Sequence, residues 1–236
     1  MVVSRDAGAD SRKLAGQTGS HSEPEGLHEA VPLKGMRAAI AAAMMQSLHG
    51  TAQLTLHRRF NPEPLVAYRQ GFSSDARPSL NDLVLAATAR VLHTHPWVNA
   101  TVEDDTIYRW RCVHLGMAVA LDNGLVVPVI RNADRLTLEQ LRTETARLGS
   151  LARQGRLKVS DIQSGTFTVT NLGHFGIDAF TPILNALQVA ILGVGRFENA
   201  SATLSLTIDH RALDGVPGAN FLRDLSAALE NPKEHL

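Results

Sequence analysis

Two hydrophobic rhythms alternate along this chain, and their order predicts most of its elements. Segments that alternate apolar and polar, or run briefly apolar between turn residues, lie at 51–60 (TAQLTLHRRF), 106–110 (TIYRW), 113–121 (VHLGMAVAL), 124–130 (GLVVPVI), 165–173 (GTFTVTNLG), 187–195 (LQVAILGVG) and 202–209 (ATLSLTID). Each reads as a strand. A helical spacing governs 31–49, where Ile40, Met44, Met45 and Leu48 form one stripe, and 216–232, built on Phe221, Leu222, Leu225 and Leu229. Two more helices open on capping-box pairs, Ser79 with Asp82 and Thr137 with Gln140, and are closed by Pro96 and Gly155. Pro217 near the start and Pro232 at the end bracket the last helix. Helices and strands mix without strict β-α-β alternation, which predicts an α+β domain.

Residues 1–30 are rich in Gly, Ser, Ala, Glu and His without a hydrophobic period. They read as a flexible arm ahead of one domain at 31–236. The 236 residues suffice for a sizeable core, and 44% apolar with 19% charged residues is ordinary for a globular protein. Basic and acidic residues balance at 23 each, so neither nucleic acid nor a membrane surface is expected as a partner. Cys112 is the single cysteine and has no internal disulfide partner. With no apolar leader in MVVSRDAGADSRK and no membrane-length apolar run, the expectation is a cytoplasmic protein.

Most catalytic motifs are missing: there is no G-x-S-x-G elbow, phosphate-binding loop, H-E-x-x-H or C-x-x-C. His93 and His95 have no local cysteine or carboxylate for a metal and read as charges at a helix C-terminus. What stands out is His210-x-x-x-Asp214-Gly215, directly after the strand ATLSLTID. If its alternation continues, His210 shares the apolar side with Leu206 and Ile208, and Asp209 falls on the polar side. An imidazole, with its ordinary pKa near ~6.5, takes a proton from a thiol or hydroxyl and returns it to a leaving group. Asp214 precedes a helix, where it can cap N–H groups or hold a distant cation. The residues alone leave open a satisfied core histidine beside a helix cap.

These segments are collinear with a known family. DHRALDG (209–215) resembles the DHRxxDG signature of the catalytic domain of 2-oxoacid dehydrogenase acyltransferases, the E2 components. PLKGMRAAIAAAM resembles that family's first helix and HPWVNA its HPxxNA segment. GLVVPVIRNAD, GTFTVTNLG and QVAILGVG follow in the family's order, so the similarity runs from Val31 to Leu236. The resemblance implies a chloramphenicol-acetyltransferase-like sandwich, a mixed sheet with packed helices. It implies acyl transfer between dihydrolipoyl-lysine and coenzyme A without a metal. His210 would be the general base, Asp214 an orienting residue and the Thr170 hydroxyl the oxyanion donor, in a strand where the family more often has serine. Arg37, on the first helix, would pair with Asp214.

The resemblance further implies a homotrimer with active sites between subunits, coenzyme A and lipoamide entering from opposite sides. With no lipoyl or subunit-binding domain recognised ahead of the arm, the expectation is that the lipoyl group comes in trans, from a lipoyl-domain protein among the other complex components. FENASAT (197–203) is shorter than the family's usual hairpin. Three other readings remain: the same fold acylating a small-molecule acceptor, a non-catalytic structural core, and a metal site on Asp209, His210 and Asp214, which lacks a further ligand.

Overall fold

Six strands hydrogen-bond into one mixed sheet, and its central strands carry both ends of the candidate site. The computed structural model describes Gly26 and residues 28–121, 124–198 and 200–236, so most of the arm expected at 1–30 lies outside the described residues. The chain divides into two units, Met1–Lys34 and Gly35–Leu236, and the elements below all belong to the second.

In chain order these are α1 (Gly35–Gly50), β1 (Gln53–Phe60), α2 (Glu63–Gln70), α3 (Leu80–His93), β2 (Ala100–Glu103), β3 (Thr106–Arg109), β4 (Leu115–Met117), β5 (Val119–Leu121), β6 (Gly124–Val126) and β7 (Val129–Ile130). Then come α4 (Leu138–Arg153), β8 (Phe167–Asn171), β9 (Ala190–Val194), β10 (Ala202–Asp209), α5 (Gly215–Glu230) and α6 (Pro232–His235). The sheet order is β1-β10-β9-β8-β4-β7, with β2–β3 and β5–β6 as separate two-stranded ribbons. The pairs β8–β9 and β4–β8 are parallel and the rest antiparallel.

Both expected capping boxes form, at Ser79/Asp82 and at Thr137/Gln140. The expected strands at 113–121 and 124–130 each split in two. Pro128 has no N–H to give a ladder, and its carbonyl instead accepts from Met117 N at 2.8 Å, which turns the chain between sheet and ribbon. The helix α2 has no sequence-level stripe to announce it, being eight residues with Pro64 in its first turn.

Helices α3 and α5 cover one sheet face, with Phe221 of α5 meeting Phe167 of β8 at a centroid distance of 5.7 Å. The opposite face is covered by the segment 176–188. Phe180 lies flat on Gly193, where a β-carbon would sit 2.9 Å from the ring. The Ser47 hydroxyl donates to Leu184 O at 2.7 Å, and Leu184 N donates to Gln53. The strand β10 is therefore buried on both faces rather than one. Its polar side is satisfied across the ladder, Thr207 with Thr55 at 2.8 Å and Ser205 with His57 Nδ1 at 2.9 Å.

Two readings of the sequence change here. The stripe of α1 packs only in part: Ile40 and Met44 are half-buried, Met45 and Leu48 are exposed, and Ser47 is the buried residue of that helix. The helix is held at its C-terminal end by the Ser47 bond, and Ile40 lies beside Gly124 of the β5–β6 ribbon. His93 and His95 serve carboxylates of other elements, His93 lying 3.6 Å from Asp134 and His95 3.0 Å from Asp224.

Beyond β8 and β9 the backbone runs too close for side chains. A β-carbon on Gly173 would lie 2.5 Å from Gly195 O, and one on Gly195 would meet the backbone oxygen of Asp178. Backbone on both sides leaves no flexible atom to give way. Gly195→Ala is expected to lower stability by about 3 kcal/mol through overpacking, read as a lowered urea midpoint. An unchanged midpoint would show that this junction is looser than the geometry states.

Candidate active site

His210 lies one residue beyond β10, in the turn that leads to α5. Its backbone N–H donates to Ala52 O at 2.8 Å, and its side chain is 45% exposed. The expected alternation breaks at this point. The neighbour Asp209, assigned to the polar side, is buried, while His210 turns to solvent. The physical reason is a set of hydrogen bonds that draws the Asp209 carboxylate inward. Its Oδ1 accepts from the backbone N–H groups of Ala52 (3.2 Å) and Arg211 (3.1 Å), and the Arg211 guanidinium engages both oxygens at 2.6–3.0 Å. The Asp209 carbonyl accepts from Ala212 N and Leu213 N at 3.0 Å each. One residue thereby fixes the strand end, the start of β1 and the turn carrying His210.

Burial pushes the Asp209 carboxyl up, but the Arg211 guanidinium and the two backbone N–H donors outweigh it and hold the carboxyl below its ordinary value. Asp214 sits at the N-cap of α5 without a side-chain capping bond. Its side chain is 84% exposed, and its Oδ1 lies 3.6 Å from His210 Nδ1. The two are close enough to bias the imidazole's orientation. Arg37 and Asp214 form no ion pair. The reason lies in α1, whose exposed first turn carries Arg37 while the helix is anchored at its other end through Ser47.

Thr170 lies near the end of β8 and lines a cleft of about 720 Å³ together with Asn171, Leu172, His174, Met117 and residues of α3 and α4. Among the described residues its hydroxyl has no hydrogen-bond partner, so it is free to donate to a ligand. By contrast, Thr168 two residues earlier is committed to Gln188 at 2.6 Å. The Asn171 side chain holds the turn after Thr170, donating to Asn81 Oδ1 at 3.2 Å and accepting from Gly173 N at 2.9 Å. Nothing in the sequence marks this asparagine pair, and the adjacency of Asp209 and Arg211 to His210 is its one sign of the anchor.

The structure does not bring Thr170 and His210 together within one chain. Thr170 pairs with Gly193, and Gly193 with Ser205, which lies five residues before His210. Two inter-strand steps of about 4.8 Å and five residues of about 3.4 Å set them roughly 20 Å apart, at opposite ends of the sheet. Among the described residues no group of three or more His, Cys, Asp and Glu is placed to hold a metal ion, and no helix is long and apolar enough to cross a membrane.

A mixed sheet with helices on one face and a histidine at a central strand's end places the chain in the chloramphenicol acetyltransferase fold. Superposition on a chloramphenicol acetyltransferase gives a TM-score of 0.55 at 12% identity, over 80% of this chain and 94% of that one. Within the fold, the chain belongs to the family of 2-oxoacid dehydrogenase acyltransferases, whose catalytic domain matches residues 25–236. It is 38% identical over 242 residues to the dihydrolipoyllysine-residue acetyltransferase component of the acetoin cleaving system of Bacillus subtilis, covering 94% of this chain and 61% of that protein. It is 33% identical to the dihydrolipoamide acetyltransferase (E2p) of Azotobacter vinelandii, with a TM-score of 0.83 over 89% of this chain and 94% of that structure. The chain thus spans about three-fifths of the length of the Bacillus relative.

The Asp209 anchor has a testable pH signature. Because its folded pKa is depressed, its stabilisation is complete above the unfolded carboxylate's value of about 3.9 and is lost as pH falls through the folded value. Replacing Arg211 by Met removes the strongest donor, so acid unfolding should begin at higher pH. At pH 7 the loss should be about 2 kcal/mol, moderated by the half-exposed guanidinium. Thermal melts across pH 3–7 check this; an unmoved acid limb would show that the backbone donors alone hold the carboxylate.

Proposed function

We propose that this chain is the catalytic core of a dihydrolipoyllysine-residue acyltransferase, moving an acyl group between a dihydrolipoyl thiol and the thiol of coenzyme A. The observation that carries this reading is the exposed imidazole of His210, held on a rigid strand end with Asp214 beside it, in a chain of this family. In the Azotobacter relative a serine, a histidine and an asparagine four residues after it figure in the catalytic mechanism. This chain has His210 and Asp214 at the same spacing, and Thr170 offers a hydroxyl on the cleft.

In the proposed reaction His210 accepts the proton of the attacking thiol, and the thiolate adds to the thioester carbonyl. A thiol of ordinary pKa about 8.5 needs only a mild base near neutrality. The new C–S bond creates a tetrahedral oxyanion, to which the Thr170 hydroxyl donates; a threonine keeps the donor of a serine but restricts its rotamers. Collapse breaks the old C–S bond, and the imidazolium returns its proton to the departing thiolate. Asp214 favours one orientation of the ring.

The separation of about 20 Å supports a site shared between copies, with Thr170 from one chain and His210 from the next. Head-to-tail association that closes a ring gives every copy one complete site, and a homotrimer is the ring we propose.

The test is transfer from acetyl-coenzyme A to dihydrolipoamide. His210→Ala should abolish turnover, and Thr170→Val should lower kcat about 100- to 1000-fold with a smaller effect on KM. Co-assembly of the two inactive variants should restore part of the activity, because some interfaces then pair an intact Thr170 with an intact His210. Failure to recover any activity from a mixed assembly would place both residues' work within one chain and remove the shared site. Undiminished turnover in His210→Ala would remove the mechanism itself.

A further inference from the structure

The cleft beside Thr170 carries more positive charge than the chain itself neutralises. Arg77, Arg142 and Arg153 all line it, and among the described residues none has a carboxylate within ion-pair distance. The one acidic lining residue, Asp82, is fully occupied. Its Oδ2 accepts from the backbone and hydroxyl of Ser79 at 2.8 and 2.7 Å, and its Oδ1 from the Thr145 hydroxyl at 2.6 Å. Three guanidinium groups therefore face one spent carboxylate.

Two of the guanidinium groups are also held in place. Arg77 donates to Phe72 O at 3.2 Å and Arg142 to Asp75 O at 3.1 Å, both on the loop that leads into α3. Arg153 folds back one turn along α4 onto Gly149, where a β-carbon would come within 3.6 Å of its Nη1. Guanidinium groups meet carboxylates and phosphates in two-pronged geometry, and three of them along one cleft suit an oxyanion.

We infer that the Arg77–Arg142–Arg153 cleft binds the oxyanion end of a substrate, a phosphate or a carboxylate. Two sources have that chemistry: the phosphates of coenzyme A, or the far carboxylate of a dicarboxylic acyl group whose carbonyl lies at Thr170. The inference rests on the proposed acyl transfer for its substrates, but anion binding itself is measurable without turnover.

The full chain and its Arg142→Gln, Arg153→Gln and double variants are titrated calorimetrically with coenzyme A and, separately, with succinate. The expected result is that one of the two binds the wild type and binds the double variant at least tenfold more weakly, with melting temperatures unchanged. Arg153 is exposed, so its single variant keeps the test alive should the double variant fail to fold. Kinetics then separate the sources. A raised KM for coenzyme A with an unaltered preference among acyl groups assigns the phosphates; a fall in the succinyl-to-acetyl ratio of kcat/KM with an unaltered KM for coenzyme A assigns the carboxylate. Anion binding lost in the variants of a protein without turnover would keep the site and discard acyl transfer. Binding of both probes unchanged by the substitutions, or absent from the wild type, overturns the inference.

Discussion

A carboxylate withdrawn from water at the end of a central strand has to be satisfied on every side, and Asp209 meets that demand with backbone as well as side chain. Its acceptors draw on Ala52, just before β1, and on Arg211, just after the histidine, so two stretches of chain 157 residues apart converge on a single residue. An imidazole on an unanchored loop would sweep many orientations. Here the turn is bound from beneath by the carboxylate and from the side by the Ala52 carbonyl, which leaves the His210 side chain as the part free to move. Rigid support of this kind is what a base needs in order to meet a thiol at hydrogen-bond distance.

The same sheet that holds the histidine also sets how far it stands from the threonine. The β8–β9–β10 register is fixed by continuous pairing from Asn171–Val194 to Ile208–Ala190. No side-chain motion closes a gap of about 20 Å along such a ladder. The polar work is correspondingly split. One end of the sheet carries Asp209, Arg211 and His210; the other carries Thr170, the Asn81–Asn171 clasp and the cleft of arginines.

Much of this was legible in the sequence because local and global preferences agree. The capping boxes of α3 and α4 form as their residue types demand, and Leu204, Leu206 and Ile208 are buried as their alternation requires. The family's blocks placed Thr170 and His210 on the right elements, a strand and the turn after one. What escaped was decided by tertiary partners. The sidedness of Asp209 and His210 depends on donors at Ala52 and Arg211, one of them 157 residues away in sequence. The expected Arg37–Asp214 pair depends on how α1 lies, which its own stripe does not determine. The polar side of β10 looked solvent-facing because nothing local reveals that 176–188 crosses over it.

The strands β9 and β10 are joined at the far end of the sheet by a short link, where Glu198 and Ser201 exchange backbone hydrogen bonds at 3.0 and 2.9 Å. That link adjoins Gly195 and Phe197, which border Asn171 and Gly173. The histidine lies at the opposite end of β10, behind a full ladder pinned by a buried carboxylate. Insertions or deletions in the link therefore reshape the rim near Thr170 while the base stays put. Over evolutionary time such a layout lets a lineage revise what the threonine side admits by changing loop length alone, without putting the proton-transfer end at risk.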